Sequence, residues 1–504
     1  MSYKERLSDL NRDGERSVTA QIVDVFSAGI ESGELAPGEQ LPPTRELAEL
    51  AGVNHLTAAR AYRRLAELGL VAGRVGRGTF VRQTAGEASL TEAEGGDAWQ
   101  LYALPDEAET HADRVMGDMF RHLGRDDIIP LMPGHPSEEL FPIERFSRIA
   151  AEVCDREGAR LYDYGDVEGA FELREQLAAL GTDPAQGFAT VPEEIVTATG
   201  AAEALTITAR ALLRPGDVAA VESPTFAGSL ASIRAAGATV LPVPVDSDGL
   251  EIDALEQLLR RRQVKLLCLQ PRLQNPTGRD LVPERRERLI QLARRYGFFI
   301  VEDGVYADLR FEGEPLPSLR ASAPEHVIYV SSLSKTTAPG LRVGWIAARG
   351  PVMERIVAAK RHAILNTPQL NELMVAQFLE EGGYAEQLDR AIPFHRKRLD
   401  ALMDAVDEWL GGIATVRRPL GGAHIWITLP EQVDERGLYE EALRQGVSFL
   451  PGAAMMPERP RRAHARLSFG YVDPDGIREG VKRLAAAIRA VGRASRQREA
   501  LPVA

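Results

Sequence analysis

Apolar residues fall at helical spacing along the first seventy positions and at strand spacing just after them. Ile22, Val23, Phe26 and Ile30 share one face of a predicted helix that stops at Gly33. Pro37-Gly38 and Leu41-Pro42-Pro43 interrupt the pattern, and Thr44 then stands where it can cap a short helix carrying Leu47, Ala48 and Leu50. Gly52 makes a tight turn. Asn54 caps a longer helix expected to point Leu56, Ala59, Tyr62, Leu65 and Leu68 inward, and Leu70-Val71 with Thr79–Val81 reads as a hairpin around Gly73-Arg-Val-Gly-Arg-Gly78. From about residue 112, strand-like runs alternate with helical patterns up to a last helix near 474–492. The clearest runs are Val218–Val221, Thr239–Val243, Val264–Leu269, Phe298–Val301, Val327–Val330 and Val343–Ala347. Such alternation predicts an α/β domain on a largely parallel sheet.

Composition divides the same chain. Its 504 residues, 44% hydrophobic and 26% charged, suit a soluble protein of more than one domain. A net charge of −13 argues against nucleic-acid binding by the chain as a whole, so any such function must be local. Between Asn54 and Arg82 there are six arginines and one acid, Glu67, whereas residues 83–110 hold seven acids and no Lys or Arg. The expected organisation is therefore a head over 1–82, an acidic linker over 83–111 in which Trp99, Leu101 and Tyr102 could dock, and a large domain over 112–504. Cys154 and Cys268 both sit beside apolar residues and read as buried free thiols of a cytoplasmic protein. The N-terminus lacks the apolar core of a signal peptide, and no apolar run approaches the ~18 residues of a membrane span. Neither a membrane nor a metal site is expected.

Helix, turn, helix and a basic, glycine-rich wing are the parts of a winged helix-turn-helix. In that fold the second helix enters the major groove and the wing meets phosphates. The plainer alternative is a small helical module with solvated arginines. Leu41-Pro-Pro-Thr-Arg-Glu-Leu-Ala48 and Gly-Arg-Gly-Thr-Phe-Val81 resemble the two ends of the GntR-family DNA-binding domain, over roughly residues 17–82. That resemblance puts Arg45, Asn54, His55, Thr57, Arg77 and Gly78 where contacts to bases or phosphates of double-stranded operator DNA occur. His55 and Ala59 depart from common relatives, so base preference does not carry over.

The chemistry of the large domain centres on Lys335. Of 60 basic residues only six are lysines, so the chain uses arginine where charge alone is needed, and a lysine can lose its proton and attack a carbonyl. Ser331-Ser-Leu-Ser-Lys-Thr-Thr-Ala-Pro-Gly-Leu-Arg342 surrounds that lysine with hydroxyls, a glycine and an arginine. Such parts suit an aldehyde cofactor that carries a phosphate: pyridoxal phosphate. Its other needs have candidates in chain order. Gly200-Ala201-Ala202 opens a helix after a strand and can form an anion nest; Phe226 can stack on a ring; Asn275 ends a strand in Asn-Pro-Thr-Gly278. Asp303 sits at a strand's C-terminal end, where ligands of open α/β sheets bind, and Tyr306 follows it by three residues. Arg466, in Ala-Arg-Leu-Ser-Phe-Gly470, can clamp a carboxylate. Taken singly each has a plainer reading: a helix start, a core phenylalanine, a turn asparagine, a helix cap, a solvated lysine.

As a set these residues resemble the fold-type I aminotransferases over roughly residues 115–492. The resemblance implies that Lys335 is the Schiff-base lysine, that Asp303 pairs with the pyridine nitrogen, and that Asn275 and Tyr306 bind the phenolic oxygen. It further implies that Ala201, Ala202, Ser332 and Arg342 hold the phosphate, that Phe226 stacks on the ring, and that Arg466 takes a substrate carboxylate. Tyr164, in Tyr-Gly-Asp166, is similar to the tyrosine that reaches a neighbouring subunit's phosphate, which implies a homodimer with shared sites. Two departures stand out: Ala201-Ala202 offers no side-chain donor, and Phe226 replaces a more common tyrosine. A GntR-type head on such a body resembles the MocR/GabR subfamily of bacterial transcription regulators. In that subfamily a small amino compound, or pyridoxal phosphate itself, would act as effector through Lys335. The alternative is a working aminotransferase carrying a DNA-binding head.

Overall fold

The computed structural model describes residues 3–11, 17–36, 38–74, 78–82, 115, 117, 121, 124–183, 187–458 and 460–499. The acidic stretch and its Trp99, Leu101 and Tyr102, and Arg77 of the wing, lie outside them. Two compact units are formed, Met1–Ala108 and Glu109–Ala504.

In the first unit, helices Tyr3–Ser8, Val18–Glu31, Thr44–Leu50 and His55–Glu67 precede an antiparallel pair, Val71–Arg74 with Gly78–Val81. Leu7, Ile22, Phe26, Leu47, Ala58, Ala61, Leu65 and Val81 make one core. The Tyr62 hydroxyl donates to the Pro42 carbonyl, which ties the longer helix to the turn before the short one. Two expectations are corrected. Thr44 is the first residue of its helix rather than its cap; Pro43 precedes it and no side chain caps that end. Leu56 and Leu68 point outward, 67% and 51% exposed, while Ala58, Ala61, Tyr62 and Leu65 face in. Leu56 precedes Leu65 by about two and a half helical turns and so lies on the opposite face, and Leu68 follows the last helical residue.

Asn54 does cap its helix: its Oδ1 accepts the Thr57 N–H at 2.8 Å and the Thr57 hydroxyl at 3.0 Å. Asn54→Ala is expected to cost about 1 kcal/mol of head stability. In a domain of this size that lowers its melting transition by roughly 4–8 °C, which calorimetry of the full chain resolves, whereas Asn54→Asp stays close to wild type.

The second unit is built on an eight-stranded sheet. Its order is Ile195–Ala198, Gly344–Ala347, Val327–Ser332, Phe299–Asp303, Leu266–Leu269, Val218–Ser223, Thr239–Asp246, Gly249–Leu250. Pairing is parallel from Val327–Ser332 through Thr239–Asp246; Gly344–Ala347 runs antiparallel to both neighbours and Gly249–Leu250 closes one edge antiparallel. Central strands are buried along their whole length, as sheets covered on both faces require. A smaller antiparallel sheet, Thr415–Val416, His424–Thr428, His464–Ser468 and Leu450–Pro451, packs with helices Gly383–Leu410 and Pro474–Glu499. Cys268 is buried, but Cys154 is exposed. It stands one residue, about 100° of helix, beyond Val153 on a helix whose buried face is Phe146, Ile149 and Val153. Among the described residues no helix is long and apolar enough to cross a membrane.

Candidate functional site

Parallel strands deliver their C-terminal ends to one edge of the large sheet, and Asp303, Asn275, Lys335 and the helix start after Gly200 follow those ends. Asp303 is the last residue of its strand and is buried. Gln270 follows the neighbouring strand and donates from Nε2 to Asp303 Oδ2 at 2.7 Å; the Val305 N–H bonds Oδ1 at 3.1 Å. Burial raises the Asp303 carboxyl to about 6, against these two bonds and the charge of Lys335. At neutral pH it remains an anion inside the protein. Gln270 also accepts the Asn275 N–H on its Oε1 at 2.7 Å, so one amide spaces Asp303 and Asn275. Its own N–H bonds Glu222 at 2.9 Å, and burial pushes that carboxyl up to about 8. Burial raises both carboxyls, Glu222 further than Asp303. Both Gln270 and Glu222 were missed in the sequence, although the strand-end rule that selected Asp303 applies equally to them.

Lys335 is half-buried in the loop that follows Val327–Ser332. Burial lowers its amine to about 8; Arg466 and Arg342 act in the same direction and Asp303 against it. About a tenth of the molecules then carry a neutral amine at pH 7, against about one in a few thousand for a free lysine. Lys360 gives the contrast. It is also buried and lowered to about 8, but its Nζ donates to Thr197 Oγ1 at 3.0 Å and it faces Glu372, so its proton is structural. Attachment of an aldehyde to Lys335 is expected to speed up about tenfold per pH unit below pH 8 and to level off above it. Stopped-flow absorbance with pyridoxal phosphate measures this, and a rate still climbing at pH 10 would contradict it.

Arg466 occupies the middle of His464–Ser468 and is 5% exposed. It donates to Asn275 Oδ1 at 3.2 Å and to the Met132 carbonyl at 2.8 Å, and its Nε has no partner. No carboxylate pairs with it among the described residues. Burial lowers its guanidinium to about 10, which leaves it charged at neutral pH. Both of its partners are neutral oxygens, so no described carboxylate balances its buried charge. Tyr306 is buried beside it; its hydroxyl donates to the Gly134 carbonyl at 3.2 Å and lies 2.9 Å from His424 Nε2. His424 is a further residue the sequence did not single out.

Gly200 caps the helix Ala201–Leu212 at φ +113°, and a side chain there would come within 2.9 Å of an Arg342 guanidinium nitrogen. Arg342 is exposed, in a left-handed conformation, and its guanidinium makes no hydrogen bond among the described residues. Ser332 Oγ bonds the Val343 carbonyl at 2.9 Å and Ser334 Oγ at 2.8 Å. A helix N-terminus, an arginine free of hydrogen bonds among the described residues and serine hydroxyls are groups from which an anion cup can be built without any side chain from Ala201 or Ala202. Phe226 packs in the apolar group that also holds Ala201, and its ring lies across Gly228. Tyr164 stands apart, 79% exposed on a loop held by Gln369 through the Asp163 carbonyl at 2.9 Å.

In the head, Arg45, His55 and Gly78 are exposed and Thr57 is half-buried. Asn54 is also exposed, and its Oδ1 is taken by the cap. Gly78 has φ +110° and lies against Gln40, so a side chain there would meet the glutamine amide at 2.7 Å. Arg60, Arg63 and Arg64 add exposed charge along the same helix.

Fold and site together define a regulator with a DNA-binding head and an aminotransferase-like body. Comparison with known families bears this out: Aminotransferase class I and II matches residues 139–484, and Bacterial regulatory proteins, gntR family, matches residues 18–81. The chain belongs to the bacterial regulators that join a GntR-type head to a pyridoxal-phosphate-dependent aminotransferase fold. It is 30% identical to the uncharacterized HTH-type transcriptional regulator YisV of Bacillus subtilis, over 95% of this chain and 97% of that one. It is 28% identical to the probable rhizopine catabolism regulatory protein MocR of Rhizobium meliloti, over 96% of each. Among solved structures it is similar to the α-aminoadipate aminotransferase LysN of Thermus thermophilus, complexed with N-(5'-phosphopyridoxyl)-L-leucine. That match has a TM-score of 0.70 at 34% identity and covers 75% of this chain and 96% of the enzyme.

The residues present fit pyridoxal phosphate. A lysine of lowered pKa, a buried aspartate whose charge acts on it, and a glycine-led helix start set against Arg342 lie together at the strand ends.

Proposed function

We propose that the chain is an amine-responsive switch of DNA binding. Residues 1–82 bind operator DNA, 83–111 act as linker, and 112–504 sense the effector. Bound pyridoxal phosphate supplies a carbonyl carbon that Lys335 and an incoming primary amine can exchange between them. Asp303 is held as an anion toward the ring nitrogen, and the amide of Asn275 and hydroxyl of Tyr306 face the phenolic oxygen. Gly200 to Ala202, Ser332 and Arg342 take the phosphate, Phe226 covers the ring, and Arg466 binds the effector's carboxylate. Tyr164 reaches the phosphate of a second protomer in a cytoplasmic homodimer. Arg45, Asn54, His55, Thr57, Arg77 and Gly78 meet DNA.

The observation that carries this reading is a lysine of lowered pKa near a buried arginine with no carboxylate partner among the described residues, in a chain with a GntR-type head. Release of Lys335 changes the charge and contacts of its loop, and a switch needs the two states to differ in DNA affinity. The test is an absorbance titration of the loaded full chain with a panel of amines, with and without operator DNA. An α-amino acid should change the spectrum at concentrations where a plain alkylamine does not, and operator DNA should shift the midpoint. A spectrum untouched by every amine would remove the effector role.

A second reading, a working aminotransferase, is favoured by the intact site and by 34% identity to the 2-aminoadipate transaminase of Thermus thermophilus. Repeated turnover of an amino acid with an oxo-acid partner would establish it. One conversion without turnover supports the switch.

A further inference from the structure

We propose that His424 is a positioning residue for Tyr306, donating its Nε2–H to the tyrosine hydroxyl so that the hydroxyl's own proton is directed to Gly134 or into the cofactor pocket. The two rings meet edge to face with centroids 5.3 Å apart and planes at 77°, and Nε2 lies 2.9 Å from the hydroxyl oxygen. His424 begins the strand His424–Thr428 and pairs across it with Ser468, two residues from Arg466. The imidazole therefore reaches the pocket from the small sheet, while Tyr306 comes from the end of the large one. Gly134 fits closely over both: a side chain there would come within 2.6 Å of His424 Cε1 and 3.2 Å of the Tyr306 hydroxyl.

Counting protons fixes the direction of the bond. Tyr306 has one hydrogen and two neighbours in reach, the Gly134 carbonyl and His424 Nε2. The carbonyl can only accept. If the tyrosine donates there, or to a bound ligand, His424 must be the donor, with its hydrogen on Nε2 and a lone pair on Nδ1. His424 is 3% exposed, and its Nδ1 has no partner. The opposite tautomer would bury an unbonded N–H, a rarer state than a buried unused acceptor. The groups facing the ring are Tyr306, Arg466, Lys335 and His395, none of them anionic at neutral pH, and burial followed by Arg466, Lys335 and His395 holds the imidazole neutral. A hydroxyl that accepts one hydrogen bond donates a stronger one. His424 thereby sharpens Tyr306 as a donor toward an anionic oxygen. That last step rests on the reading above in which Tyr306 faces the cofactor; the proton placement does not.

The experiment has two arms, both on the full chain. In the first, the cofactor-free protein is labelled with 15N-histidine, and His424 is assigned by its loss in His424→Phe and in His424→Gln. Its long-range 1H–15N pattern should be that of an Nε2–H imidazole, constant from pH 6 to 9, and its Nε2 shift should move in Tyr306→Phe. An Nδ1–H pattern, an imidazolium, or no change in Tyr306→Phe overturns the proposal. In the second arm, pyridoxal phosphate affinity is measured by absorbance. His424→Phe should bind it about tenfold more weakly, while His424→Gln, whose amide nitrogen can stand where Nε2 stood, should stay within about threefold of wild type. Wild-type affinity in His424→Phe would refute the link to the cofactor. Failure of the wild type to bind the cofactor would refute the reading of the pocket and leave the first arm to decide the proton placement.

Discussion

Lys335→Ala is expected to abolish both covalent capture of pyridoxal phosphate and every response of DNA binding to amines. Among the other lysines, Lys360 is locked to Thr197 and Lys265 is paired with Asp217 at 2.8 Å, so neither can substitute. No hydrogen bond or ion pair ties Lys335 to the described residues, and the substitution leaves stability within about 1 kcal/mol of wild type. The variant should still bind operator DNA, with one affinity whatever amine is added. Cofactor absorbance after gel filtration and DNA titration in its presence measure the two effects. A variant that kept the amine response would show that the switch does not run through this lysine.

Arg466→Ala has the second large effect. The arginine is buried, hydrogen-bonded to Asn275 and the Met132 carbonyl, and lacks a carboxylate partner among the described residues. Removing one member of a buried, hydrogen-bonded charge pair costs about 2–5 kcal/mol, so the amino acid concentration giving half response should rise at least about thirtyfold. An alkylamine, with no carboxylate to bind, should be unaffected. Arg466→Lys should fall between, because one ammonium cannot reproduce the guanidinium fork. The same truncation removes a cation that lowers Lys335, so the pH at which its attachment rate levels off should move above 8. An unchanged amino acid response in Arg466→Ala would assign carboxylate recognition elsewhere.

Much of this arrangement could be read along the chain because its residues sit at positions with a local signature. Strand ends marked Asp303, a strand and a glycine marked Ala201 and Ala202, and the scarcity of lysine marked Lys335. What escaped notice depends on tertiary contact. His424 meets Tyr306 only because a separate antiparallel sheet packs over the ends of the parallel one, and no spacing along the chain encodes that. Gln270 and Glu222 were legible by the same rule as Asp303, yet a glutamine and a glutamate in an apolar run carry no chemical signature until their partners are known. The errors were of helix ends, at Thr44 and Leu68, and of helical phase, at Leu56 and Cys154. Leu56 and Leu68 are large and apolar, which invited an inward placement, but the core takes Ala58 and Ala61 beside the expected Tyr62 and Leu65. The outward leucine at the start of that helix stands beside exposed His55, on the end that a helix-turn-helix presents to DNA.

Operator affinity of one preparation, measured cofactor-free, loaded with pyridoxal phosphate, and loaded then treated with an amino acid, tests the central claim most directly. The account predicts at least a fivefold difference in Kd, about 1 kcal/mol of coupling, between the loaded and the amine-treated protein. It also predicts that this difference vanishes in Lys335→Ala. Equal affinities in all three states, with amine exchange at the cofactor seen in the same samples, would contradict it.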